Sequence, residues 1–385
     1  MCALVNYNDI VSFTSKGGRP LLPSKNLIIF RFNFGIVSKI KKSQFLMETE
    51  ILGDEHRKYF LSFLATVPSA YSSLDTSRLL MVYFACSALD ILQTDIPNKE
   101  EVIEFVYSNQ IDEGGGFIGS SFSGASKYRF SHVTMTYCAI LTLVLLGDDL
   151  SRVNKVSIVN GLKHLQQDDG CFQAVEFGTE SDMRFMYSAC GVSFLLQDWS
   201  GINVDKATEF ILSSMRFDGG FGILPDQESH CGAIYTAVSS LVLLGRLDQC
   251  DELDREYLIK FLVNRQIHGF NGRINKVPDS CYTFWAGGAL QGLGLQDLMD
   301  ISSTRRFLLE CQFTRGGFSK VPHAYPDILH AYCSVAGLSL LHEKGLAPIE
   351  SVVGLTCRAF QTWLQGNPNP ISGSDTIFQG VEQLT

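Results

Sequence analysis

One short pattern recurs five times along this 385-residue chain: a Gln, a short polar gap, then Gly-Gly-Phe or a close variant. The copies are Gln110…Gly115-Gly116-Phe117, Gln166…Gly170-Cys171-Phe172, Met215…Gly219-Gly220-Phe221, Gln266…Gly269-Phe270 and Gln312…Gly316-Gly317-Phe318. Their phenylalanines lie 55, 49, 49 and 48 residues apart. The third copy has Met in place of Gln, and the fourth is a residue short. Regular self-similarity at this period signals stacked supersecondary units.

An apolar run follows each copy: 132–147, 182–196, 230–245, 279–294 and 327–341. These runs are apolar almost all round, so as helices they must be buried on most faces. Amphipathic segments such as 155–166 and 254–265 lie between them. No segment offers useful strand alternation. The expectation is an all-α fold in which buried helices form an inner ring and amphipathic ones wrap it, an α/α toroid. Glycines in the turns supply positive φ and close approach. The turns therefore aim the inner-helix N-termini at one end of the ring.

Those first turns hold the unusual residues: His132, Asp182 with Arg184, His230, Asp279 with Cys281, and Asp327 with His330. Taken singly, an Asp there is a helix cap and a His on an apolar helix is a satisfied core residue. Five such turns at one end put polar groups around one mouth. Asp279, Cys281 and His330 offer one O, one S and one N. Three protein ligands leave a fourth tetrahedral position open, which is the catalytic zinc pattern. By spacing alone this signal is modest, since 49 residues separate Cys281 from His330. The repeat strengthens it by placing both on neighbouring inner helices.

Arg273 and Lys276 precede Asp279 closely. With His230, Tyr282 and Lys320 in the same architecture they form a basic pocket suited to a diphosphate, where a solvated loop is the plain alternative. Phe84, Tyr187, Phe284 and Trp285 lie on inner-helix runs, as core or as the lining of an apolar cavity.

Composition sets bounds on these readings. The chain is 45% hydrophobic and 18% charged, which suits a large folded core. Its net charge of −9 argues against broad nucleic-acid binding. Eleven Cys without a CxxC pair point to reduced thiols and a cytoplasmic protein. No stretch is long enough to span a membrane. Residues 1–46 form a basic extension, expected to be disordered or a gene-model artefact with Met47 as the start. The toroid is expected over 47–365, with a tail at 366–385.

The repeat, the runs GRINKVPDSCYTFW (272–285) and GGFSKVPHAYPDILHAYCSVAGLSLL (316–341), and the segments at 71–79, 145–155, 181–191 and 228–232 resemble the β subunit of protein prenyltransferases. The match is most like the type I geranylgeranyl class. The resemblance implies a heterodimer with an α subunit that moves a C20 group from geranylgeranyl diphosphate to the Cys of a C-terminal CaaX motif on proteins such as small GTPases. It implies that Asp279, Cys281 and His330 hold one zinc ion, which activates the substrate thiol. It places His230, Arg273, Lys276, Tyr282 and Lys320 at the diphosphate, with Lys320 and Tyr282 as catalytic residues. Leu80, Phe84, His132, Arg184, Tyr187, Trp285 and Cys333 fall to the lipid and peptide pocket.

Lys320 stands where farnesyl-transferring relatives carry an acid that assists magnesium, so no magnesium requirement is expected. Leu80 replaces the bulky Trp of the farnesyl class but is larger than the Thr of type I relatives, and Cys333 departs from the expected aromatic. Rival readings are a farnesyltransferase or Rab geranylgeranyltransferase β subunit, both disfavoured by Lys320, a terpene cyclase without its acid-rich motif, and a non-catalytic toroid that binds partners.

Overall fold

The computed structural model describes residues 50–367, apart from 68, 112–113, 121–129 and 179. The expected extension at 1–46 and all but the first two residues of the expected tail lie outside the described residues. Thirteen α-helices dominate what is described. Six of them, α1 (Gly53–Ala65), α3 (Lys99–Ser108), α5 (Lys155–Leu165), α7 (Val204–Ser213), α9 (Glu252–Val263) and α11 (Ile301–Glu310), form an outer layer. They alternate with α2 (Arg78–Ile91), α4 (Val133–Leu145), α6 (Met183–Leu196), α8 (Cys231–Leu243), α10 (Tyr282–Gly292) and α12 (Ile328–Leu340). Each of this second set packs on the next, and α12 packs back on α2, so the inner layer is a closed ring. Every residue of α4 and of α8 is buried. Outer helices bury one stripe, as in α7 through Ala207, Thr208, Phe210 and Ile211.

The inner ring has one more helix than the five repeats account for. α2 lacks the Gly-Gly-Phe turn; a nine-residue 3₁₀ stretch, Ser69–Ser77, leads into it instead. The turn that meets α1 is the fifth copy, delivered from the far end of the chain.

The repeated residues have separable jobs. Gln and Phe pair across each turn as a short antiparallel bridge: Gln110 with Phe117, Gln166 with Phe172, Gln266 with Phe270 and Gln312 with Phe318. The Gln carboxamide then reaches the start of the next outer helix. Gln110, Gln166, Gln266 and Gln312 accept from the backbone N–H of Asn154, Asn203, Asp300 and Leu52, at 2.7–2.9 Å. Those four are the N-cap residues of α5, α7, α11 and α1. The Phe side chain is buried, and its carbonyl accepts from the first-turn residue of the following inner helix: Phe117 from His132, Phe221 from His230, Phe270 from Asp279. The Gly is needed for both backbone and contact. Gly170 has φ +90°, and a Cβ there would sit 2.1 Å from the Lys206 carbonyl. One motif thus staples the outer layer and aims the inner one.

Beyond α12 the chain crosses the opposite end of the ring. Two short paired strands, β1 (Gln110–Ile111) and β2 (Gly116–Phe117), belong to the first turn; the other pair, β3 (Ile349–Glu350) and β4 (Leu355–Thr356), forms a hairpin followed by α13 (Cys357–Gly366). Ala347 donates to the Ile91 carbonyl, Gln291 donates to the Ile349 carbonyl, and Asp90 accepts from Arg358 and Thr356. All three anchors lie at the C-terminal ends of inner helices. The polar first turns therefore ring one end and the hairpin closes the other.

Glu350 is buried in this closure, and burial pushes its carboxyl up to about 7, with the Val352 N–H pulling the other way. A raised carboxyl is a proton bound more tightly by the folded chain than by the unfolded one. Stability is unaffected below the ordinary Glu range, falls as pH rises through it, and is fully diminished above about 7. Glu350→Gln is expected to raise the melting temperature by a few degrees at pH 8 and to leave it unchanged near pH 4, read by differential scanning calorimetry.

Candidate metal and anion site

The site forms where α10 and α12 begin. Asp279 precedes α10 with its carboxylate buried, and its Oδ1 accepts from the Cys281 N–H at 3.1 Å. Cys281 is the N-cap of α10. Asp327 caps α12 through the His330 N–H at 3.0 Å. Its second oxygen meets His330 Nδ1 at 2.6 Å, so His330 Nε2 turns toward Asp279 Oδ1, 3.3 Å away. The ligand atoms of Asp279, Cys281 and His330 all lie within 4.8 Å of one another. The three residues expected from the sequence are brought together as a triad that could hold a metal ion.

The donor set fits one. It offers O, S and N at mutual distances a single ion can bridge, and the histidine is held by a carboxylate on its other nitrogen, as metal-ligating histidines are. Burial alone would depress His330, but the carboxylates of Asp279 and Asp327 outweigh it and raise the ring to about 9.

Asp327 was visible in the sequence only as one more first-turn acid. Its role is legible in hindsight from the Asp-x-x-His spacing, which lets one residue cap the helix and orient the imidazole three residues on.

Lys320 lies beside this triad. The Ser280 N–H donates to the Lys320 carbonyl at 2.9 Å, and the Cys231 N–H donates likewise to Gly272. These are equivalent repeat positions, two residues beyond a motif Phe. Lys320 is thereby placed with its Nζ 3.6 Å from Asp279 Oδ2. Burial lowers its pKa, while Asp327 pulls it back up. Gly272 lies under the Tyr282 ring, where a Cβ would meet the ring at 2.0 Å. Only Gly lets the 273–278 loop pass there.

His230 stands edge-on to Tyr282, ring centres 6.1 Å apart. Its Nδ1 accepts from the Ala233 N–H, so the neutral ring carries its proton on Nε2 and presents a donor. Burial keeps it neutral, with the Arg273 charge acting in the same sense. Arg273 pairs with Glu228 at 3.0 Å, and Lys276 is exposed in the same loop.

The residues expected to line a pocket fall into two groups. Arg184 is clamped by Asp182 at 2.6 Å and Glu180 at 2.5 Å, close to His132, which burial depresses to about 4. Leu80, Phe84, Tyr187, Trp285 and Cys333 are buried on inner helices. Tyr187 is wholly buried, and its hydroxyl contacts Tyr137, Tyr235 and the Val352 carbonyl.

Closed double ring and first-turn triad together define a class, and the comparisons agree. Residues 51–355 match the prenyltransferase α/α-toroid domain, and the chain belongs to that family. It is 37% identical over 332 residues to the geranylgeranyl transferase type-1 subunit beta of Dictyostelium discoideum, covering 78% of this chain and 94% of the relative. The Arabidopsis thaliana subunit of the same name is 36% identical over 330 residues, covering 78% and 88%. In structure the chain is similar to Candida albicans protein geranylgeranyltransferase-I complexed with GGPP, with a TM-score of 0.75 and 27% identity over 82% of this chain and 99% of that one.

Asp327→Asn keeps the cap and the shape but loses the charge on His330. Metal affinity is expected to fall about 10- to 100-fold, measured by competition with a chelator. Metal uptake is also expected to release protons and to weaken as pH falls below about 9, the value at which His330 takes up its proton.

Proposed function

We propose that this chain is the catalytic β subunit of a type I protein geranylgeranyltransferase, transferring a C20 prenyl group from its diphosphate to the Cys of a CaaX terminus. The observation that carries this reading is the pairing of an O, S, N triad with a cation, Lys320, at 3.6 Å from Asp279. Nucleophile activation and leaving-group stabilisation then sit side by side, and the named relatives support the same substrate class.

The triad residues hold zinc in this proposal. A coordinating thiol loses its proton outright, so bound zinc supplies a thiolate nucleophile at neutral pH. The remaining work belongs to this chain. The His230 Nε2–H, the Tyr282 hydroxyl, Arg273, Lys276 and Lys320 face the departing diphosphate. Negative charge builds on that group as the C–O bond breaks, so fixed donors favour the transition state over the ground state. Their acid partners matter here: Glu228 holds Arg273 and Asp279 holds Lys320 before substrate arrives. Arg184 and His132 serve the lipid and peptide pocket, with Leu80, Phe84, Tyr187, Trp285 and Cys333 as its apolar wall.

Large apolar side chains exposed at this end of the ring support a partner. Phe177, Phe217, Ile267, Ile274, Val277 and Tyr325 all lie in the turns around the polar first turns. A prenyltransferase α subunit is the proposed occupant, and a cytoplasmic location suits the substrates.

Co-expression with the organism's α subunit, followed by prenyl transfer assays, tests the reading. Transfer of C20 to a CaaX peptide ending in Leu is expected, with zinc and without magnesium. Lys320→Asp is expected to lower the rate at least tenfold in magnesium-free buffer and to recover part of it when magnesium is added. Preference for C15 with a Ser terminus, or collapse of the wild-type rate without magnesium, overturns the assignment.

A further inference from the structure

One backbone bond recurs at the polar end and laces neighbouring repeats together. A residue near the start of an inner helix donates its N–H to the carbonyl two places beyond the motif Phe of the next turn. Leu79 donates to Gly119, Val133 to Ala174, Met183 to Ile223, Cys231 to Gly272 and Ser280 to Lys320, at 2.9–3.0 Å. The apolar side chains of Leu79, Val133 and Met183 have no donor to add. Cys231 and Ser280 differ. Ser280 Oγ donates to the Ser319 carbonyl at 2.8 Å, and Cys231 Sγ donates at 3.6 Å to Asn271, the equivalent residue. All four residues are buried. These two extra prongs fall on the loops that carry Arg273, Lys276 and Lys320.

The grip extends one step further along each loop. Asn271 Nδ2 donates to the Lys276 carbonyl at 3.0 Å, and Ser319 Oγ donates to the Val321 carbonyl at 2.7 Å. The carbonyls of 319, 320 and 321 thus accept in turn from Ser280 Oγ, the Ser280 N–H and Ser319 Oγ. The backbone is fixed on both sides of Lys320, and the freedom left to that residue lies in its own side chain, whose Nζ is 3.6 Å from Asp279 Oδ2. Removing one of these buried donors leaves a buried carbonyl short of its partner, which costs more than the bond itself contributes. Burial pushes the Cys231 thiol up to about 12, so it keeps the proton that it donates.

We propose that Ser280 and Cys231 are positioning residues for the leaving group: their side chains hold the backbone of the Lys320 and Lys276 loops so that these cations are already in place when the diphosphate departs. The proposal rests on the prenyl-transfer reading above. A charge held in place needs no reorganisation as negative charge develops, so its fixing bears on the rate of bond cleavage. Ser280 also stands between Asp279 and Cys281, and its rival role is to hold those two metal-site residues.

The test is a double-mutant cycle on the αβ heterodimer, with single-turnover C20 transfer followed in magnesium-free buffer. Ser280→Ala is expected to slow transfer about tenfold when Lys320 is present and less than about twofold in a Lys320→Ala background, because it acts through that lysine. Affinity for the CaaX peptide is expected to stay within about threefold. Ser280→Cys restores a donor of the Cys231 kind and is expected to come within about threefold of the wild-type rate. Cys231→Ala is expected to weaken C20 diphosphate binding about fivefold, and less than about twofold in a Lys276→Ala background. This second cycle, on a separate loop, decides the proposal if Ser280→Ala does not assemble. Cobalt(II) loading separates the rival role: the thiolate-to-cobalt band is expected to be unchanged in Ser280→Ala. Equal losses with and without the lysine, or loss of that band, overturn the positioning role while leaving prenyl transfer intact. A wild-type heterodimer that transfers no prenyl group removes the underlying reading and the proposal with it.

Discussion

Closure of the ring is the constraint on which the rest depends. The fifth turn carries it. Gln312 Oε1 accepts from the Leu52 N–H at 2.8 Å and from His56 Nε2 at 2.9 Å, while His56 Nδ1 accepts from the Gly317 N–H at 2.9 Å. Burial depresses His56 to about 4, which keeps the ring neutral and suits this pattern of one donor and one acceptor. The same imidazole stacks on Phe318 at 4.4 Å. Gly316 completes the contact, since a Cβ there would lie 2.1 Å from the Glu55 carbonyl. Without this join α2 and α12 would each present an apolar face to water, and an almost wholly apolar inner helix has no stable exposed state.

Closure also explains the electrostatics of the polar end. The chain is acidic overall, yet the first turn of α6 carries Arg184 and the loops leading into α10 and α12 carry Arg273, Lys276 and Lys320. Three of these four have an acid within 3.6 Å: Asp182 for Arg184, Glu228 for Arg273, Asp279 for Lys320. Such pairs near a surface add little to stability. Their consequence is orientation: long side chains are held in place before a multiply charged ligand arrives, so less ordering remains to be done on binding. The triad follows the same logic, with Asp327 fixing His330 in advance.

Much of this was legible in the sequence because the repeat is a local pattern written several times over. Gly-Gly-Phe turns and apolar runs located five of the six inner helices, and the equivalence of first turns put Asp279, Cys281 and His330 together. What stayed hidden depends on pairs far apart in the chain. α2 has no motif of its own, since its neighbour's clasp is supplied by Gln312, 260 residues from its partner Leu52. The Gln of the motif read as a mere marker, because its partner is the backbone of an outer helix about 40 residues on. The contact of Tyr187 with the closing hairpin escaped notice for the opposite reason: an aromatic on an apolar helix looks like ordinary core, and nothing before residue 349 shows that its hydroxyl meets a backbone carbonyl.

The central claim is that ring closure alone preassembles a mixed O, S, N metal site from residues 279, 281 and 330. Cobalt(II) loading of the purified protein, without substrate, tests this most directly. One thiolate-to-cobalt charge-transfer band, at one cobalt per chain, is the expected result. The band should be lost in Cys281→Ser and kept in Cys311→Ser, a buried thiol outside the triad. Absence of a thiolate band in the wild type, or its persistence in Cys281→Ser, contradicts the account.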